Sequence, residues 1–167
     1  MSLALADIPP GDSVFVDANI FIYGLSAHPV YATACIEFLE RIERQDVMGV
    51  TSSAVLAEVS HRLMTIEACE VYGWPVAGIA QRLRKSATEI KTLRKFADAV
   101  RMIPKLNIQI APTGEQLVIR ATELSQSHGL LTNDALIAAT MNSLGIRCIA
   151  TRDDDFDRLQ TVLRFSP

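Results

Sequence analysis

The stretch "SVFVDANIFIYG", residues 13–24, decides the fold. Val14, Phe15 and Val16 are consecutive apolar residues, the pattern of a short strand covered on both faces. Residues 19–23 read as the apolar start of a helix. Asp17 falls at the joint, a carboxylate at the mouth of what should be dry core. Either it caps the helix that follows, or it is one part of a site whose other parts lie far along the chain.

The same strand–helix rhythm recurs outward from this point. Strand-like runs fall at 14–16, 47–50, 108–111, 148–150 and, more weakly, 162–165. Helical patterns separate them. Residues 31–44 put Cys35, Phe38, Leu39 and Ile42 on one stripe. A helix over 53–68 can be capped by Ser52 or Ser53, and "YGWPV" at 72–76 ends it, with Pro75 suited to open the next. A helix over 89–103 places Ile90, Leu93, Ala97 and Val100 on its inner side. Helices at 114–128 and 134–144 stop at Gly129 and Gly145. Alternation of this kind predicts an α/β fold, a mostly parallel sheet with right-handed crossovers and helices on both sides. The chain of 167 residues suits a single domain, with the helices at 76–103 as an insertion or hairpin.

Composition narrows the class. Hydrophobic residues make up 49 % and charged residues 21 %, as in a soluble globular protein. No apolar run approaches the ~20 residues of a membrane span, and the N-terminus lacks the basic start of a signal peptide. Cys35, Cys69 and Cys148 are scattered and odd in number, which argues for a reducing compartment and small apolar fillers. These features place the protein in the cytoplasm. The net charge of −3 is unevenly distributed: residues 82–105 carry +6 and the remainder −9. Such segregation points to an anionic partner meeting one face; the plainer alternative is a solvated helix face.

Four acids stand at element ends. Asp17 and Asp153 each lie just beyond an apolar strand, where the crevice of a parallel sheet opens. Asp134 opens an unusually apolar helix, "DALIAATMNSL", behind Thr132 and Asn133, which already offer capping groups. Glu58 sits off the Val55–Val59–Leu63 stripe, where it could equally pair with Arg62 four residues on. Singly these signals are unspecific. Carboxylates gathered in one crevice repel one another unless cations neutralise them, and hard divalent cations such as Mg²⁺ or Mn²⁺ take oxygen ligands. His28, His61 and His128 stand in unrelated contexts and receive no role.

"FVDANIFIY", "SSAVLAEV", "LLTNDALIAAT" and "IATRDDDF" resemble, in order, the four signatures of the PIN-domain nucleases, and look most like the VapC-type toxins of toxin–antitoxin pairs. The resemblance runs from about residue 14 to 156. It implies a PIN-like three-layer fold with a mostly parallel central sheet flanked by helices. It implies one metal-binding acid per signature, here Asp17, Glu58, Asp134 and Asp153, as catalytic and metal ligands for Mg²⁺ or Mn²⁺. Thr151, Asp153, Asp155 and Phe156 fill the slots of a T-x-D-x-D-F pattern, which makes Asp155 a second-tier ligand. Asn19, Ser52 and Thr151 match polar positions that orient acids or water. The interval between Glu58 and Asp134 is longer than in compact toxins of this type and contains the basic helices.

The implied activity is metal-dependent hydrolysis of RNA. Arg84, Lys85, Lys91, Arg94 and Lys95 are candidates to hold the phosphate backbone, and single-stranded or looped RNA is the expected substrate. A cognate antitoxin and a homodimer are the expected partners, with the "SLALADIPP" arm and the 76–103 helices as candidate dimer contacts. A non-catalytic PIN-like module binding nucleic acid or protein is the alternative, but such modules lose acids, and here all four positions are filled. A phosphatase with an aspartyl nucleophile would want D-x-D, and position 19 is Asn.

Overall fold

The structure, a computed structural model, describes residues 3–167. Six strands form one sheet: β1 (Leu3–Ala4), β2 (Ser13–Val16), β3 (Met48–Ser52), β4 (Gln109–Ala111), β5 (Cys148–Ala150) and β6 (Leu163–Ser166). Their order is β1-β6-β5-β2-β3-β4, and every neighbouring pair is parallel. Phe15 lies opposite Val50 on one side and Ile149 on the other. Parallel neighbours need crossovers, supplied by α1 (Ala18–Leu25), α2 (Ala32–Glu43), α3 (Ser53–Tyr72), α4 (Ile79–Leu83), α5 (Ala87–Ile90), α6 (Lys95–Met102), α7 (Glu115–His128) and α8 (Thr132–Leu144). From β2 the chain adds β3 and β4 on one side, then returns to build β5 and β6 on the other. The carboxyl ends of β2 and β5 therefore flank a topological switch point, where open α/β sheets bind ligands.

The core follows from this arrangement. Val14, Phe15 and Val16 are fully buried, as expected for a strand covered on both faces. In α8, Ala135, Ile137, Ala138, Ala139, Thr140 and Met141 are all buried, so that helix is covered on most of its circumference. Gly49 is needed where α2 crosses β3: a Cβ there would lie 2.7 Å from Ile42 Cγ2. Helix α7 packs on α8, while α1 packs on α2 and α3, and α6 on α3. Cys35 is buried and its thiol is pushed up to about 12 by burial, which keeps it unreactive. Among the described residues no helix is long and apolar enough to cross a membrane.

The structure corrects three local readings. Pro75 does not open a helix; α3 runs on to Tyr72, the left-handed Gly73 ends it, and α4 begins only at Ile79. The single helix expected over 89–103 is broken into α5, a turn and α6. The buried Glu67 carboxylate causes this break. Its Oε1 accepts from the backbone N–H groups of Arg94 (2.8 Å) and Lys95 (3.0 Å), and its Oε2 from that of Phe96 (2.8 Å). A continuous helix would commit those amides to carbonyls four residues back; taken by Glu67 they start a new helix instead. Strand β1 and its pairing with β6 went unread because two residues carry no periodicity. The N-terminal arm is fastened to its own chain by Arg41, which donates to the carbonyls of Leu5 (3.2 Å) and Ile8 (2.7 Å). Ser2 of that arm lies outside the described residues.

Candidate functional site

Asp17 caps the helix that follows it and is also bonded to a residue far along the chain. It is extended (φ −79°, ψ 161°) and caps α1, its Oδ1 accepting from Ala18 N at 2.6 Å. Its Oδ2 accepts from Asn19 Nδ2 (2.6 Å) and from the Thr151 hydroxyl (2.6 Å). Thr151 Oγ1 in turn accepts from Asn19 Nδ2 (2.9 Å) and from Asp153 N (3.0 Å). Asn19 Oδ1 accepts from Arg152 N at 3.2 Å. The loops after β2 and β5 are thereby stitched together, with the fully buried Thr151 as the knot.

A cleft of about 600 Å³ opens beside this network, and Asp17, Glu58, Asp134 and Asp153 all line it. Glu58 is carried on α3, whose start is fixed by Ser52 Oγ accepting from Val55 N at 3.2 Å. Glu58 makes no ion pair with Arg62, which lines the same cleft; its Oε2 meets Asn133 Nδ2 at 3.4 Å. Helix α8 begins at Thr132, two residues earlier than the 134–144 read from the sequence. Its cap is Leu131, without a side-chain hydrogen bond. Thr132 and Asn133 therefore sit in the first turn facing the cleft, and Asp134 follows them there. Asp153 Oδ1 accepts from Asp155 N (3.0 Å) and so caps the short turn Asp154–Arg158.

Not every expected residue has the same standing. Among the described residues, Asp134, Asp153 and Asp155 offer potential ligand oxygens all within 4.8 Å of one another, while Asp17 and Glu58 line the cleft outside that group. Asp155 belongs to this group, though Arg158 also pairs with it at 2.8 Å. Ser52 is occupied in capping α3 and does not line the cleft. Arg84, Lys85, Lys91, Arg94 and Lys95 are exposed and lie outside the cleft lining; Lys95 pairs with Glu70 at 3.7 Å.

The acids repel one another as the donor set requires. Burial, with Asp17 only 8 % exposed, pushes its carboxyl up to about 6; the Thr151 and Ala18 hydrogen bonds oppose this, and Glu58 and Asp134 add repulsion. Asp134 is likewise raised to about 6, first by burial, then by Asp153, Asp155 and Glu58, with Arg158 opposing. No His or Cys lines the cleft among the described residues, so the available ligands are oxygens, the set that suits a hard divalent cation.

Four residues escaped the sequence reading. Tyr23, Arg62 and Asn133 line the cleft, and the Arg152 amide is tied to Asn19. Arg62 and Asn133 were visible only as neighbours of acids, and their commitment to a wall depends on helix rotation.

The profile of the PIN domain matches residues 14–162. The chain belongs to the PIN-domain family. It is 25 % identical over 154 residues to ribonuclease VapC6 of Methanocaldococcus jannaschii, covering 90 % of this chain and 94 % of that one. Among solved structures it resembles VapC20 of Mycobacterium tuberculosis, described as a sarcin-ricin loop cleaving toxin. The TM-score is 0.61 at 17 % identity, over 88 % of this chain and 95 % of that one. It also resembles VapBC2 of Rickettsia felis, solved bound to a DNA fragment from its promoter, with a TM-score of 0.54 at 20 % identity over 92 % and 98 % of the two chains. These structural likenesses bear on the fold, and the PIN arrangement of an all-parallel sheet flanked by helices is the one seen here.

Proposed function

We propose that this PIN protein is a divalent-metal-dependent endoribonuclease and the toxin of a toxin–antitoxin pair. The observation that carries the reading is the convergence of Asp17, Glu58, Asp134 and Asp153 on one cleft, with Asp155 beside them. The ribonuclease relative and the likeness to toxin structures support it.

The five acids would hold Mg²⁺ or Mn²⁺. When bound, such an ion polarises the scissile phosphate and lowers the pKa of a water. The remaining work falls to the chain itself. Asn19 and Thr151 fix one Asp17 oxygen and Ala18 N the other, so the carboxylate is presented in one orientation. Asn133 ties Glu58 on α3 to α8, which keeps the two walls of the cleft in register. Arg62 supplies positive charge at the wall. The exposed cations Arg84, Lys85, Lys91, Arg94 and Lys95 would contact RNA away from the cleaved bond. We read the whole chain as one PIN-like unit with the helices of 76–103 as its clip, acting in the cytoplasm as a homodimer held in check by a cognate antitoxin.

The test is cleavage of pooled RNA with EDTA, Mg²⁺ or Mn²⁺, using wild type and the double variant Asp17→Asn, Asp134→Asn. Cleavage should need the cation and vanish in the double variant. A folded double variant that cleaves as fast as wild type removes the acids from the reaction. Binding of RNA without cleavage under either cation would make the protein a non-catalytic module.

A further inference from the structure

The acidic stretch after β5, "TRDDDFDR" at 151–158, contains four carboxylates and two arginines. Arg158 pairs with Asp155 at 2.8 Å, and Arg164 from β6 takes Asp157 at 2.7 Å. Arg152 does otherwise. Among the described residues no carboxylate lies within ion-pair distance of it, although Asp153 is its chain neighbour. Its guanidinium carbon instead stands 4.7 Å from the centroid of the Tyr31 ring.

That ring belongs to an aromatic group formed by Tyr23 of α1 with His28 and Tyr31 of the α1–α2 connection. Tyr31 stacks with His28 (4.8 Å, 19°) and packs against Tyr23 (5.1 Å, 37°). His28 Nδ1 accepts from Val30 N (3.2 Å) and Tyr31 N (3.3 Å), which sets the imidazole in place. Tyr23 lines the acid cleft. The Arg152 backbone is held as well, by Asn19, a partner of Asp17. So an exposed guanidinium is pinned at both ends, at the backbone to the acid network and at the head to an aromatic face.

Cation–π contact occupies the face of a guanidinium and leaves its edge N–H groups free. Those edges form the fork that grips phosphate. An arginine withheld from adjacent carboxylates is available to an anion that arrives from outside.

We propose that Arg152, seated on Tyr31, is a nucleotide-binding residue that grips the phosphate next to the cleaved bond of single-stranded RNA, while Tyr23 receives the adjoining base. This rests on the ribonuclease reading above. It adds to that reading a phosphate contact beside the acids, next to the charge that Arg62 brings to the cleft wall. The strand must be single because a base reaches an aromatic wall only when splayed from its partner.

The probe is a fluorescein-labelled single-stranded oligoribonucleotide of mixed sequence. Its binding is measured by anisotropy in EDTA, and its cleavage in Mg²⁺. Arg152→Ala should weaken binding roughly tenfold and flatten the slope of log affinity against log salt by about 0.7, the value for one phosphate contact on a single strand. The loss in cleavage should fall on KM. Arg152→Lys should keep the salt slope and recover only part of the affinity. Tyr31→Leu should weaken binding severalfold alone and have no further effect beside Arg152→Ala, since it acts through that residue. If wild type cleaves the RNA and Arg152→Ala keeps its affinity, KM and salt slope, the subsite is refuted and the ribonuclease reading stands. A loss confined to kcat refutes it equally. A wild type that neither binds nor cleaves the oligonucleotide overturns both.

Discussion

Asp17→Asn should stabilise the cation-free protein at alkaline pH, because the aspartate pays a burial penalty only when charged. The folded-state carboxyl lies at about 6 against an ordinary value of 3.8. The folded state therefore holds the proton more tightly than the unfolded chain. Stability owed to this group is fully present below the unfolded value and is lost as pH rises through the folded one. The whole change is about 3 kcal/mol, of which about 2 kcal/mol falls between about pH 4.5 and 8. Asparagine does not titrate, so the variant escapes this loss. It has its own, constant cost: one amide hydrogen pair replaces an oxygen that accepts from Ala18, or from Thr151 and Asn19, worth about 1 kcal/mol. The difference in stability, variant minus wild type, should thus grow by about 2 kcal/mol across that range. For a chain of this size that is about 4–8 °C in Tm. Thermal melts in EDTA at a series of pH values measure it directly. Adding Mg²⁺ at about pH 8 should raise the Tm of wild type more than that of the variant. A difference that stays flat with pH would show that Asp17 is not raised and that the acids do not crowd one another.

Asp134→Asn and Asp153→Asn should each lower the cleavage rate at least about a hundredfold with the far-UV spectrum unchanged, read in a fixed-time assay with Mg²⁺. Glu67→Gln should leave a backbone N–H near Arg94 to Phe96 without its carboxylate partner and cost about 1–3 kcal/mol; hydrogen exchange should accelerate at 94–96 and not in α8. Gly49→Ala should cost about 1–3 kcal/mol in urea denaturation, because the new methyl would lie 2.7 Å from Ile42 Cγ2. Asn133→Ala should loosen Glu58 and lower activity by a smaller factor than loss of Glu58 itself, measured side by side.

The chain spelled out its architecture in advance because that information is local. Three apolar residues in a row at 14–16, glycines at positions 129 and 145 that stop helices in left-handed backbone, and a largely apolar helix read over 134–144 are each legible within a few residues. Asp17 and Asp153 were legible for the same reason, since each lies just beyond an apolar strand, and Asp134 because it opens an apolar helix; Glu58, inside α3, stood out only by lying off the buried stripe. Folding alone decided which of their oxygens meet. Asn19 and Thr151, 132 residues apart, share a hydrogen bond only because β2 and β5 are neighbours in the sheet. Asp155 joins Asp134 through a turn whose shape the "DDDFD" run does not disclose. Glu67 breaks a helix it does not belong to, and Arg152 turns from the acids beside it to a ring on another loop. Periodicity ranks residues by face along one element; the meeting of faces from different elements is set by packing, a property of the whole chain.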